Sequence, residues 1–153
     1  MYDTDNDVPR VLEARIENLP HSTLLTASSP GHLAELLRSC TSDQIVIVMT
    51  HGDSSRQFTT GPEDTSPGLA YDDVPVMTCR TLYSFICYQD GDGETAWRER
   101  DYELVATRGI AYPDDIVALI RAIAQAENPA DGAAVLRSAA IRTRGWKAYP
   151  PKV

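Results

Sequence analysis

The chain has 153 residues, with 22 acidic side chains against 14 basic ones and a net charge of −8. Hydrophobic residues make up 42% and charged residues 24%, a balance that supports one packed domain and excludes wholesale disorder. The acidic sign, with no basic run longer than two residues, argues against nucleic-acid and anionic-membrane binding, so neither partner is expected.

Residues 1–9 are polar, end in Pro9 and carry Asp3, Asp5 and Asp7. They read as a flexible acidic terminus and are the opposite of a positively charged secretory leader. A single domain is expected over 10–145. Val11, Leu12, Ala14, Ile16 and Leu19 mix the helical and strand periods, which leaves a strand and a short helix both open. Leu24 and Leu25 suggest a short strand, closed by Ser28-Ser29-Pro30-Gly31. His32 to Ser39 then predicts a helix with Leu33, Leu36 and Leu37 on one face.

The strongest strand signal is Gln44 to Met49, apolar on both faces, the pattern of a central and doubly covered strand. It runs directly into Thr50-His51-Gly52-Asp53. A stretch over 53–75 rich in Gly, Pro, Asp and Ser has no clear period and reads as a long loop. Leu82 to Ile86 is a second buried strand, delivering Cys87, and Asp90-Gly91-Asp92-Gly93 follows as a turn. With 32 residues between them, these two strands have room for a crossover and are expected as parallel neighbours.

Tyr102 to Thr107 predicts a third strand, and helices follow over Asp115 to Ala126 and Asp131 to Arg142. The end, 146–153, contains Pro150-Pro151 and reads as a loose tail. Intermingled strands and helices predict an α/β domain with a mostly parallel central sheet covered on both faces.

In such sheets, sites form beyond the carboxyl ends of the strands. Two apolar strands here end on reactive residues, His51 and Cys87. Parallel neighbours lie roughly 4.8 Å apart, which would bring an imidazole and a thiol together. That pair supports nucleophilic acyl transfer: the histidine takes the thiol proton and the thiolate attacks. Gly52 lets the backbone present an N–H to a substrate carbonyl, and the N–H of Cys87 is the second expected oxyanion donor. Against this stands the plain reading of Cys87 as a small buried hydrophobe.

The order of these pieces resembles the caspase-like clan of cysteine peptidases, and within it the bacterial CHAT branch. The residues that carry the resemblance are Ile45-Val46-Ile47-Val48-Met49-Thr50-His51-Gly52, then Leu82-Tyr83-Ser84-Phe85-Ile86-Cys87, then the strand and two helices after them, the last opened by Asp131-Gly132-Ala133-Ala134. It spans about residues 22–142. The resemblance implies a three-layer caspase-like sandwich, a His51/Cys87 dyad, a peptide or protein substrate, no cofactor, and an activating protein partner. The chain departs from the caspase signature around Cys87, and its His51 lies closer upstream than the roughly 50 residues of that signature. A non-catalytic caspase-like interaction module in a larger bacterial complex is therefore the alternative.

Other groups receive weaker roles. Asp72 and Asp73, with Glu63 and Asp64, make an acidic loop that would favour an Arg or Lys side chain in the substrate; solvated loop charge is the simpler account. His51 with Asp53, Asp90 and Asp92 is a divalent-metal alternative that no ligand spacing supports, and Asp90 to Glu94 fails the calcium-loop pattern. Hence no metal and no cofactor are expected. His21 and His32 read as surface or capping residues. Cys40, Cys79 and Cys87 are an odd set without CxxC spacing, which fits reduced thiols in a cytosol. No apolar run reaches the roughly 18 residues of a membrane helix, and a cytoplasmic location is expected.

Overall fold

The computed structural model describes residues 4–52, 56–59, 68–89 and 96–152. Four strands form the main sheet: β1 (Ile45–Met49), β5 (Thr81–Phe85), β6 (Glu103–Thr107) and β7 (Trp146–Tyr149), in the order β1-β5-β6-β7. The first three are parallel and β7 is antiparallel to β6. A second sheet, β2 (His51–Gly52), β3 (Gln57–Thr59) and β4 (Gly68–Ala70), is antiparallel.

The pleat splits the strands between two cores. Val48, Leu82, Ile86, Leu104 and Ala106 face one side, where α2 (Pro30–Arg38) and the second sheet cover them. Tyr83, Phe85, Cys87 and Val105 face the other, under α3 (Pro113–Gln125) and α4 (Gly132–Ser138). The result is an α/β domain with a mostly parallel sheet between two covering layers. No described helix is long and apolar enough to cross a membrane.

Local chemistry explains the element ends. Ser29 caps α2 by accepting the His32 N–H at 3.1 Å, and Pro30 fills the first helical position, where its missing donor costs nothing. His32 Nδ1 in turn accepts the Ser28 N–H at 3.0 Å, the capping role expected of it. Asp131 caps α4 through the Ala134 N–H at 3.0 Å.

Four expectations are corrected. The stretch read as a flexible terminus over 1–9 enters α1 (Thr4–Asn18), a helix with Pro9 inside it. Helix wins over strand there because Val11 and Ala14, three apart, bury together on the α3 side. Leu24 and Leu25 lie in no strand and are exposed. The tail read as loose over 146–153 contributes β7, whose Trp146 and Tyr149 are buried. Finally, β1 is an edge strand, with only Val48 fully buried, although its composition is that of a central one.

A buried carboxylate ties the chain end to α3. Asp115 is 1% exposed and accepts the Arg142 N–H at 2.8 Å, the Trp146 Nε1–H at 3.3 Å and the Thr143 hydroxyl. Removing it leaves buried donors without an acceptor. We expect Asp115→Ala to cost about 2–4 kcal/mol, with Asp115→Asn losing less because it keeps one oxygen. Urea denaturation reads this directly, and a loss near zero would show that the turn is held by packing alone.

Candidate active site

β1 and β5 pair in parallel with Met49 opposite Phe85. Two residues further on, His51 and Cys87 emerge at the same edge of the sheet. His51 opens β2, turning out of the main sheet to pair with Thr59. The contact between the two strand ends is tight. A Cβ placed on Gly52 would lie 2.6 Å from the Cys87 carbonyl oxygen and 2.6 Å from Ile86 Cγ2. Only glycine lets the His51-Gly52 backbone lie against the Cys87 carbonyl and the Ile86 side chain.

The thiol sits on the α3 side, 8% exposed. Its sulfur accepts the backbone N–H of Ala111 at 3.3 Å. The turn after it is clamped to the loop beyond β6: the Tyr88 N–H donates to the Gly109 carbonyl and the Gln89 N–H to the Thr107 carbonyl, both at 2.8 Å. Tyr88 takes the left-handed conformation, φ 59.

Gln89 anchors this turn to the second sheet. Its fully buried amide donates to the Tyr71 hydroxyl, while its Oε1 has no hydrogen-bond partner among the described residues. Tyr71 packs on Phe58 at 5.1 Å between ring centroids, and Phe58 on Trp97 at 5.4 Å. Trp97 Nε1–H then donates to Ser84 Oγ of β5 at 3.2 Å. An aromatic stack thus fastens the second sheet onto the strand that carries Cys87.

In the acidic loop, Asp72 is 84% exposed and has two cations of the chain beside it. Asp72 lies 3.9 Å from Arg56 and 3.7 Å from Arg98. Arg98 also donates to the carbonyls of Tyr71, Asp72 and Val74. Two cations of the chain itself therefore face the carboxylate expected to bind a basic substrate. Asp73 is exposed. Glu63 and Asp64 fall outside the described residues, as do Asp53, Asp90 and Asp92 of the metal alternative and the whole Asp90–Glu94 turn. Among the described residues no group of three His, Cys, Asp or Glu could hold a metal ion.

Cys79 precedes β5 and Cys40 follows α2, so both lie at the opposite end of the sheet from Cys87. Burial pushes the Cys79 thiol up to about 12, with the Cys40 and Asp101 charges adding to it, and burial raises Cys40 as well. Surface depressions formed by described residues lie elsewhere too, between α1 and α3 beside Arg10 and Arg121, and where α3 meets α4 beside Asn128 and Ser138. Sequence reasoning missed Ala111, Tyr88 and Gln89. The Ala111 amide has no side-chain signature; the available hint was its place after Gly109 and before Tyr112-Pro113, where a strand gives way to a helix.

Two outcomes test this geometry. Gly52→Ala should destabilise by about 1–3 kcal/mol through overpacking and part the two strand ends; unchanged denaturation would contradict the contact. The Cys79 thiol keeps its proton from 9.0, its ordinary value, up to about 12 in the fold, so unfolding releases a proton in that window. Its contribution is complete below pH 9 and is lost as pH rises, by up to about 1.4 kcal/mol per pH unit. Melting curves across this range should fall less steeply for Cys79→Ala than for the parent; parallel curves would refute it.

No protein-family model matches the chain, and no curated protein or solved structure matches it.

Proposed function

We propose that the protein is a caspase-like cysteine hydrolase of the CHAT type, acting on a peptide or protein substrate. His51 takes the proton of the Cys87 thiol, and the sulfur attacks the substrate carbonyl carbon, forming an S–C bond. The N–H groups of Gly52 and Cys87 receive the oxyanion. Collapse breaks the C–N bond, the amine leaves with the proton held by His51, and water then hydrolyses the thioester to restore the thiol. No cofactor enters this scheme.

The observation that carries the reading is the packing of Gly52 on the Cys87 peptide at the shared edge of β1 and β5. Ala111 adds support: its N–H is a donor that an anionic sulfur uses more strongly than a neutral one. The thiol is 8% exposed in the chain alone, and an activating protein partner would widen this access for a peptide substrate by shifting the 87–89 turn. Three free thiols suit the reducing cytosol.

A second reading has one observation in its favour. A thiol 8% exposed and packed among Phe85, Ile116 and Trp146 is also what a non-catalytic module in a larger bacterial complex would keep for its core.

Thiol alkylation near neutral pH separates the two. Cys87 should react at least about tenfold faster than Cys40 and Cys79, whose burial keeps them protonated. Equal, slow labelling of all three would favour the module. Where turnover of peptide esters is seen, Cys87→Ala and His51→Ala should each abolish it, and the double variant should be no worse than either. Turnover that survives Cys87→Ala would sink the nucleophile.

A further inference from the structure

The reaction scheme leaves two tyrosines beside the thiol unused. Tyr88 follows Cys87 directly and is 48% exposed; Tyr112 follows Ala111, the residue whose N–H meets the sulfur, and is 42% exposed. Every other described aromatic side chain is buried. The exposed rings of the described fold therefore stand on the two backbone segments that bracket the Cys87 sulfur.

Both positions are tied down through the backbone. Tyr88 is held in left-handed backbone, costly for a bulky side chain, by its N–H bond to the Gly109 carbonyl. Pro113 confines Tyr112 to extended backbone, observed at φ −69 and ψ 142, and the Tyr112 carbonyl accepts the Ile116 N–H at 3.0 Å to open α3. Strain at one position and solvent exposure of two large rings both disfavour the free protein. A bound apolar group would relieve the second. The competing chemistry is weakened by Asp72, whose carboxylate faces Arg56 and Arg98.

We infer that Tyr88 and Tyr112 form the subsite beside the nucleophile, and that it takes a flat apolar side chain, such as phenylalanyl, on the residue whose carbonyl Cys87 attacks. This rests on Cys87 being the nucleophile. The rings act by stacking and by removing apolar surface from water, whereas a lysyl or arginyl side chain at Asp72 would have to share that carboxylate with Arg56 and Arg98, 3.9 and 3.7 Å away.

The test uses the full chain and two chloromethyl ketones, N-acetyl-phenylalanyl and N-acetyl-lysyl. In each, the Cys87 sulfur forms a bond to the methylene carbon as chloride leaves, and mass spectrometry times the reaction at Cys87. The phenylalanyl reagent should react at least about tenfold faster, the scale expected of a selective apolar pocket. Tyr112→Ala and Tyr88→Gly, the latter chosen because glycine accepts the left-handed backbone, should each erode that preference, and Tyr112→Phe should retain it. Equal rates for the two reagents, a faster lysyl reagent, or a preference that survives both ring-removing variants would overturn the subsite. Iodoacetamide, which carries no side chain, provides the separate check. If it labels Cys87 no faster than Cys79, the nucleophile itself is wrong and the subsite falls with it.

Discussion

Parallel pairing of Ile45–Met49 with Thr81–Phe85 is the constraint on which the rest of the structure depends. Parallel neighbours need a connection that leaves one end of the sheet and returns to the other. Here that connection contains the second sheet and covers the α2 side. The same pairing makes both strands end at one edge, so one register fixes the meeting of His51-Gly52 with Cys87. A slip of one residue would turn Cys87 away from the Ala111 amide and onto the opposite face.

The turn at Cys87 is held from three directions. Gly52 approaches its carbonyl, Ala111 donates to its sulfur, and the Thr107–Gly109 loop accepts the next two N–H groups. Tyr71 and Gln89 extend the clamp to the second sheet. Left-handed backbone at Tyr88 persists because these contacts outweigh its cost. A site so fixed is preorganised for chemistry and also poorly open to substrate. The two proposed readings differ over that tension, since a partner that moves the turn would open the thiol further to a peptide substrate.

The chain end shows how tertiary contacts recruit a segment of weak local signal. Trp146–Tyr149 has the ring-rich makeup of a strand but is followed by two prolines. Pairing with β6 supplies the backbone partners, and Asp115 collects the donors of Arg142, Thr143 and Trp146 into one buried acceptor. Arg100 secures the outer end through the Pro150 carbonyl, with its guanidinium 5.8 Å from the Tyr149 ring centre. A strand thus forms where composition alone pointed to a loose tail.

The unbroken β-branched run of β1, the apolar strands at 82–86 and 103–107 and the helical periods after Tyr112 were enough by themselves to indicate an α/β sheet with His51 and Cys87 at strand ends, because strand and helix periods are written locally. Position within the sheet was not. Nothing in Ile45–Met49 distinguishes an edge from a centre, since that depends on which other segments pair beside it. The second sheet was hidden because β3 and β4 are three residues each, too short for a period to emerge from a loop rich in Gly and Ser. The Ala111 amide, the left-handed Tyr88 and the Arg56 and Arg98 partners of Asp72 come from segments distant along the chain. Such contacts exist only once the folded backbone brings these groups together, and a one-dimensional pattern holds no record of them.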